Sequence, residues 1–227
     1  MLTLYIGNKN YSSWSMRPWV LLKQAGIPFD EVMVRFDSFA ADSQFKMTMG
    51  PVSPAGKVPA LVDDGFVVWD SLAIAEYLAE KFPDRHFWPQ DPQARARARC
   101  VSAEMHSGFQ NLRGTCGMNI EADLRQVGAL VWRDTPGVRA DVTRIVAMWS
   151  ELLDTYKGPM LFGAFSIADA MFAPVVMRLT RFGLPVPAQI AAYMQRVEAL
   201  PGVAAWVEQA LQENDFLQSS EPYRFTR

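Results

Sequence analysis

The sequence predicts an α+β protein in which a small mixed unit precedes an all-helical one. Hydrophobic residues up to about residue 82 switch between the period of a strand and the period of a helix. Beyond residue 93 the strand pattern is absent, and long helical patterns follow one another. Segregation of strands from helices along a chain is typical of α+β folds. We therefore predict a first domain over residues 1–82, a linker over 83–92 and an all-helical domain over 93–227.

In the first unit, the patterns indicate the order β-α-β, a connecting segment, then β-β-α. The segments, in chain order, are LTLYI (2–6), RPWVLLKQAG (17–26), FDEVMVRF (29–36), ALVDDGFVVW (60–69) and DSLAIAEYLAEKF (70–82). The first helix has a glycine, Gly26, as its stop signal. Asp64-Gly65 supplies the positive φ angles of a tight turn between two β-branched runs, which predicts a hairpin.

Proline content predicts the linker, and helical periodicity predicts the second unit. FPDRHFWPQDPQ (82–93) carries three prolines and no usable period. After it, about five helices are predicted, from ARARCVSAEMHSGFQNLR (96–113), GVRADVTRIVAMWSELLDTY (137–156), SIADAMFAPVVMRLTRF (166–182), PAQIAAYMQRVEAL (187–200) and PGVAAWVEQAL (201–211).

Composition excludes several classes of function. The chain has 227 residues, 50% of them hydrophobic and 20% charged, which is the composition of a folded globular protein. Its net charge of -2 does not indicate the excess of positive charge that is typical of proteins that bind nucleic acid or an anionic membrane. Two cysteines and two histidines, without metal-ligand spacing, predict neither a disulfide framework nor a metal site. No leader or membrane-spanning pattern is present, so we expect a cytoplasmic protein.

The segment NYSSWSMRPW (10–19) places three hydroxyls just before a helix. Pro18 lacks an N–H and is tolerated in the first turn, which predicts Ser15 as the helix N-cap. Ser12 and Ser13 would then lie in the preceding turn, where a hydroxyl can bind an anion near the positive end of the helix. Without GxSxG or a nearby His and Asp, a protease-type nucleophile is disfavoured.

Two further segments lie at the ends of strands and starts of helices. In GKVPAL (56–61), the Val58-Pro59 bond taken alone is expected to be trans, because cis X-Pro bonds are uncommon. In WDSLAIAEYL (69–78), Asp70 and Ser71 are both good N-cap residues. Capping would account for one of them, and together they could bind a carboxylate next to an ammonium group.

The order and spacing of these segments resemble the cytosolic glutathione S-transferase family. The shared pattern is a short strand, a Ser-x-x-Ser-x-Arg turn, GKVPAL, an acidic-Ser pair and a helical domain. The resemblance covers the whole chain, is specific in residues 4–82, and is greatest to serine-type members. The zeta-class segment SSCSWRVRIAL is similar to SSWSMRPWVLL here. The resemblance implies a thioredoxin-like first domain of order βαβαββα and an all-α second domain.

The resemblance also implies roles for individual residues. The catalytic serine lies five residues before the arginine, which nominates Ser12, with Ser13 beside it as the nearest alternative. Glutathione, the co-substrate, would be bound by Ser13, Lys57, Val58, Pro59, Asp70 and Ser71. Within this set, Pro59 would be the family's cis-proline, the Val58 backbone would pair with the cysteinyl unit, and Asp70 with Ser71 would hold the γ-glutamyl end. Lys57 or a neighbour would bind the glycyl carboxylate. In the helical domain, Ser166 and Asp169 resemble the family's capping box.

The implied chemistry is stabilisation of a thiolate. A free thiol has a pKa near 8.5, so only about 3% of it is ionised at pH 7. A hydroxyl that donates to the sulfur at a helix N-terminus favours the anion. A pKa lower by about two units would make the thiolate the majority species. Glutathione itself is then the nucleophile, and neither a covalent enzyme intermediate nor a metal is required.

The electrophile would lie between the two domains. Candidate contacts on the first helix of the second domain are Met105, His106, Phe109 and Arg113, although His106 could equally be a satisfied partly buried histidine. For Met105 and Phe109, a place in the core or in the pocket wall is favoured over a chemical role. Trp14 stands where the zeta class has Cys. This departure argues against maleylacetoacetate isomerase activity and for a bulkier or aromatic substrate.

Three functions remain open on the sequence. The first is a detoxifying glutathione transferase that attacks a small hydrophobic electrophile. The second is a glutathione-dependent isomerase or an ether- or halide-cleaving enzyme, and the third is a non-enzymatic binding or regulatory protein. The family is usually homodimeric, and FKMTMGP (45–51) could be an apolar contact between subunits or pack within its own.

Overall fold

The computed structural model describes residues 1–38 and 40–224, and strands occur only in the first half of that part. Residues 225–227, at the end of the predicted helical domain, lie outside it. The first half contains β1 (Leu2–Ile6), α1 (Ser13–Gln24), β2 (Asp30–Met33), α2 (Gln44–Met49), β3 (Ala60–Asp63), β4 (Phe66–Trp69) and α3 (Ser71–Lys81). The second half contains α4 (Pro92–Ser107), α5 (Gln110–Thr115), α6 (Arg125–Asp134), α7 (Pro136–Tyr156), α8 (Ile167–Phe182), α9 (Ala188–Glu198) and α10 (Pro201–Glu213). Among the described residues, no helix is both long and apolar enough to cross a membrane.

The four strands form one mixed sheet in the order β2-β1-β3-β4. β1 pairs parallel with β2 and antiparallel with β3, and β3 pairs antiparallel with β4. Asp64 and Gly65 have φ angles of 47° and 90°, which confirms the predicted hairpin turn. The order βαβαββα followed by helices confirms the predicted fold class.

Helix α1 lies between the two halves of the molecule. It packs against β1 and α3 of the first half and against α8 and α10 of the second. Its side chains from Ser15 to Leu22 are buried, and Trp19 meets Trp206 of α10 edge to face at 5.2 Å. One continuous hydrophobic core therefore contains residues of both halves. The turn before α1 is positioned by both of them.

The start of α8 has the predicted capping box. The buried Asp169 carboxylate accepts hydrogen bonds from the backbone N–H of Ser166 (2.9 Å) and Leu161 (3.1 Å) and from the Tyr193 hydroxyl (3.0 Å). Burial raises the pKa of Asp169 to about 6, so its carboxylate is still ionised at neutral pH. An ionised carboxylate can accept all of these bonds, which satisfies donors that would otherwise be orphaned at the helix start.

The prediction of about five helices after residue 93 was too low, because the described part of that half contains seven. The predicted helix over 96–113 is divided at Gly108, after which Phe109 adopts φ 55°. Helix α6 was missed. Its Gly128 disfavours a helix by propensity, but a Cβ there would lie 1.7 Å from the carbonyl oxygen of Phe182. Glycine permits the close approach of α6 to the end of α8.

Candidate active site

Two adjoining cavities open where the end of β1 and the start of β3 meet the starts of α1 and α3. The first, of about 460 Å³, is the Asp70 cavity, and the second, of about 400 Å³, is the Ser12 cavity. Residues lining the Asp70 cavity include Lys57, Val58, Pro59, Trp69, Asp70, Ser71, His106 and Arg113. Residues lining the Ser12 cavity are Tyr11, Ser12, Ser13, Phe36, Phe45, Lys46 and Ser220, together with three shared residues, Trp14, Lys57 and Val58. The shared residues make the two cavities one continuous groove.

Ser12 and Ser15 occupy positions that differ from the predicted ones. Helix α1 begins at Ser13 with Ser12 as its N-cap residue, so the prediction of Ser15 as the cap was wrong. Pro18 is the sixth residue of the helix and lies beyond the first turn. The Ser15 hydroxyl, fully buried, instead accepts from the backbone N–H of Gly7 (3.2 Å) and lies 2.7 Å from the Ser12 hydroxyl. Ser15 connects the end of β1 to Ser12.

Ser13 contacts a buried cation on α8. Its hydroxyl oxygen accepts a hydrogen bond from the Arg178 guanidinium at 3.1 Å. The same guanidinium donates to the backbone carbonyls of Arg113 and Cys116. Burial lowers the pKa of Arg178 to about 10, which leaves it charged at neutral pH. A fixed positive charge therefore lies directly behind the Ser12 cavity.

Asp70 and Ser71 have different hydrogen-bond partners: Asp70 caps a helix, whereas the Ser71 hydroxyl does not. Asp70, at φ 77°, caps α3 by accepting from the backbone N–H of Leu72 (2.9 Å) and Ala73 (3.3 Å). Its second oxygen lies 3.1 Å from Nε2 of His106. The Ser71 hydroxyl is buried and has no hydrogen-bond partner among the described residues. It therefore remains available to a ligand, beside the N-terminus of α3.

The Val58-Pro59 bond is cis, as the family resemblance implies. The expectation of a trans bond, made from the bond taken alone, was therefore wrong. Pro59 is buried and Val58 is half-buried against both cavities. The bond directly precedes β3 at Ala60. Val58 is one of the residues that line both cavities, and it therefore lies where the Ser12 cavity and the Asp70 cavity adjoin.

Trp14 is surrounded by cationic side chains. The Cζ atoms of Arg17 and Arg113 lie 4.1 Å and 4.9 Å from the centre of its ring, and the His106 ring meets it edge to face at 5.2 Å. Burial, reinforced by the charges of Arg178 and Arg113, lowers the pKa of Arg17 to about 9. This wall of the groove is consequently positive at neutral pH, with Asp70 as the acidic group that faces it.

His106 and Arg113 line the Asp70 cavity, so their predicted contact with the electrophile stays a prediction, but Met105 and Phe109 do not line either cavity. Met105 is fully buried and Phe109 nearly so, and both belong to the hydrophobic core. We therefore correct the expectation that these two contact the electrophile. Their position on one predicted helix does not show which side chains pack against the neighbouring helices, and that helix is in fact divided at Gly108.

Other lining residues were not predicted from the sequence. Lys46 of α2 donates to the carbonyl of Gly56 (2.8 Å) and lines the Ser12 cavity with Tyr11. The Tyr11 hydroxyl donates to the buried Glu221 carboxylate and also lies 3.2 Å from the backbone carbonyl oxygen of Asp215. These bonds hold the C-terminal segment against the turn, and the segment contributes Ser220 to the cavity. Of Lys46, Tyr11 and Ser220, only Tyr11 could have been predicted from the sequence, because it directly precedes Ser12.

The sequence matches two family models. Residues 11–81 match the N-terminal domain of glutathione S-transferase, and residues 93–209 match its C-terminal domain. The first range lies in the sheet-containing half and begins after β1, and the second lies in the helical half and ends within α10.

Individual relatives agree with those matches. Maleylacetoacetate isomerase of Rattus norvegicus is 33% identical over 180 residues, which are 79% of this chain and 78% of that protein. Glutathione S-transferase 1 of Dianthus caryophyllus is 29% identical over 186 residues, 81% of this chain and 80% of that protein. Among solved structures, a glutathione transferase homologue from Burkholderia with bound glutathione has a TM-score of 0.69 and 27% identity. That match covers 94% of this chain and 99% of the other.

Proposed function

Because the chain belongs to the glutathione S-transferase family, we propose that it binds glutathione along the groove formed by the Asp70 and Ser12 cavities. There it activates the thiol of glutathione for attack on a small hydrophobic electrophile. The observation that carries this proposal is that one continuous groove brings together Ser12, the Val58 backbone, and the Asp70-Ser71 pair. These groups come from three separate segments of the chain.

Each end of glutathione has a complementary group in the groove. The Asp70 carboxylate would pair with the γ-glutamyl ammonium, and the Ser71 hydroxyl at the start of α3 would donate to the neighbouring carboxylate. The backbone of Val58 next to Pro59 would pair with the cysteinyl unit as an added strand does. Lys57, which lines both cavities, or Lys46 would bind the glycyl carboxylate. With this orientation the thiol lies in the Ser12 cavity.

The chemistry follows from where the thiol lies. The Ser12 hydroxyl would donate to the sulfur, with Ser13 as the nearest alternative donor. The start of α1 and the charge of Arg178 also favour the anion over the thiol. The thiol proton leaves to water, and the thiolate attacks an electrophile held against Tyr11, Phe36 and the other apolar walls of the Ser12 cavity.

Calorimetric titration with glutathione tests the binding part of this proposal. Asp70→Asn keeps the side-chain shape but removes the charge that faces the ammonium, and we expect the Kd to rise about tenfold or more. Asp91→Asn is the matched control, because Asp91 also caps a helix, α4, through Ala94 N–H (2.8 Å), and lines neither cavity. An equal effect of both variants, or no binding to the wild type at millimolar glutathione, would contradict the proposal.

A glutathione-dependent isomerase is a second candidate function. Arg113 lines the Asp70 cavity. Its guanidinium donates to two backbone carbonyls, those of His106 (3.2 Å) and Gly108 (2.8 Å), and neither of these acceptors is a carboxylate that would neutralise its positive charge. A carboxylate-bearing substrate would complement it, and the relative from Rattus norvegicus is named maleylacetoacetate isomerase. Arg113→Met should then abolish turnover of maleylacetoacetate while sparing conjugation of a neutral aryl halide. No turnover by the wild type would remove this candidate.

We propose further that the enzyme is a cytoplasmic homodimer. On the edge strand β4, Phe66 is 63% exposed and Trp69 is 45% exposed, which favours contact with another surface. The FKMTMGP segment is divided, because Phe45 and Met49 pack in a small core of their own subunit and Met47 is exposed. Light scattering after size exclusion should give twice the mass of the chain, and Phe66→Glu should give the monomer mass.

A further inference from the structure

Ser15 is a buried hydroxyl that the proposed chemistry does not use. It is 0% exposed and lines neither cavity, whereas Ser12, at 2.7 Å from it, lines the Ser12 cavity. Behind Ser15, the backbone N–H of Gly7 donates to it at 3.2 Å. The three groups form a row that runs from the end of β1, through Ser15, to the hydroxyl that faces the groove.

A count of hydrogens along this row limits what each hydroxyl can do. A serine hydroxyl has one proton to donate and two lone pairs to accept with, and it rotates freely about its C–O bond. The Ser12 and Ser15 hydroxyls lie 2.7 Å apart, and when Ser12 is the donor of this pair its single proton points away from the groove. To donate to a thiolate, Ser12 must turn that proton toward the sulfur.

Ser15 can compensate for that rotation. Its own hydroxyl proton has no other acceptor among the described residues, so it can turn to donate to Ser12 across the same 2.7 Å. Each hydroxyl keeps its proton throughout, and only the direction of the hydrogen bond reverses. A hydroxyl that accepts one hydrogen bond becomes a stronger donor of the next, by about 10–30% per bond in condensed-phase estimates.

Gly7 holds the far end of the row in place. A Cβ on Gly7 would lie 2.2 Å from Cζ of Phe36, so the backbone at this position is pressed against that ring. Its N–H therefore points at Ser15 from a fixed position, and the fully buried Ser15 side chain has little freedom to leave it.

We propose that Ser15 is a positioning residue for the glutathione thiolate: it accepts from Gly7 and donates to Ser12, which frees the Ser12 proton for the sulfur. This inference rests on the proposed function, because it requires glutathione in the groove. It assigns the third serine of the NYSSWSMRPW segment a role in thiol activation rather than in capping α1.

The test is the pKa of enzyme-bound glutathione, measured by the ultraviolet absorbance of the thiolate against pH. Ser15→Ala should raise this pKa by about 0.5 to 1 unit, the effect of losing one neutral hydrogen bond. Ser15→Cys, nearly the same shape with a weaker donor, should shift it in the same direction. Ser15→Thr retains the hydroxyl and should restore the wild-type value. Ser102→Ala removes another fully buried helical serine, outside both cavities, and should leave the pKa unchanged.

A double variant separates positioning from a structural role. If Ser15 acts through Ser12, Ser12→Ala/Ser15→Ala should give the same thiol pKa as Ser12→Ala alone. An unchanged pKa in both Ser15→Ala and Ser15→Cys, or a further rise in the double variant, would overturn the inference. Failure of the wild type to bind glutathione would instead overturn the proposed function, so the two failures are distinct.

Discussion

At the scale of single residues, Trp14 joins the two halves of the groove. It is one of the three residues that line both cavities, and two guanidinium groups approach its ring. Cation–π contacts of this kind are worth about 0.5 to 2 kcal/mol each, more when water is excluded. Trp14 thus holds Arg17 and Arg113 in place on the wall that the two cavities share.

The Trp14→Ala substitution should weaken the binding of both substrates. Loss of the ring frees two cations and removes a wall that both cavities share, so we expect the KM for glutathione and for an activated aryl halide each to rise about threefold to twentyfold. Trp69→Ala is the comparison, because Trp69 lines the Asp70 cavity only, and it should affect glutathione alone. Steady-state kinetics with each substrate varied in turn would show the difference. Equal behaviour of the two variants would refute this role for Trp14.

The sequence located some residues of the groove better than others for a physical reason. Ser12, Val58 and Asp70 lie in short local motifs, where spacing along the chain determines which backbone groups are near. Ser220 reaches the Ser12 cavity because the C-terminal segment is held against Tyr11 by contacts that include the Glu221 carboxylate, at the far end of the chain. No local pattern encodes such a contact. Ser15 was misassigned because the rule for proline in a first turn placed the helix start too late.

At the scale of elements, the start of α8 depends on one buried carboxylate. Asp169→Ala would leave the backbone N–H groups of Ser166 and Leu161 and the Tyr193 hydroxyl without their acceptor in a buried site. Because each unsatisfied buried donor costs about 1 to 3 kcal/mol, the free energy of unfolding should fall by about 3 kcal/mol or more. Urea denaturation measures this loss.

Asp154→Ala provides the control for that measurement. Asp154 is an exposed carboxylate near the end of α7 that accepts from the Gln189 side chain at 2.7 Å. Its removal should change the free energy of unfolding by no more than about 0.5 kcal/mol. Similar losses in the two variants would mean that the capping box of α8 contributes little.

Strong patterns predicted elements well, and weak ones did not. The predicted β1 and the observed β1 coincide at Leu2–Ile6, and Asp64-Gly65 defined the hairpin, because alternation and turn chemistry act locally. Helices α2 and α5 have six residues each, too few for a period to be recognised. Helix α6 contains Gly128 for packing against Phe182, so tertiary contact overrides its local propensity.

At the scale of the whole molecule, α1 unites the two halves. It belongs to the sheet-containing half by sequence, yet it packs against α8 and α10. Nearby, the buried Lys9 pairs with Glu31 and lies 5.6 Å and 5.5 Å from the centres of the Trp19 and Trp206 rings. The Trp206 indole also donates to the Lys9 carbonyl (3.0 Å). Neither half can lose its structure without exposing these contacts.

Thermal unfolding should therefore be one cooperative transition. Differential scanning calorimetry is expected to give a single peak with calorimetric and van't Hoff enthalpies that agree. Two resolved peaks, one for each half, would contradict the claim that α1 couples them. The sequence predicted two units and their boundary region, but the packing of α1 against the second unit involves residues nearly two hundred positions apart, which no periodicity reveals.

The central claim is that this groove converts glutathione to its thiolate through Ser12. The most direct measurement is the pKa of the bound thiol, from thiolate absorbance against pH, in the wild type, Ser12→Ala and Ser13→Ala. We expect the bound thiol to have a pKa of about 6.5 in the wild type and a pKa that returns toward about 8.5 in Ser12→Ala, with a smaller change in Ser13→Ala. A wild-type value near that of free glutathione, or a thiolate signal that survives Ser12→Ala and disappears in Ser13→Ala, would contradict it.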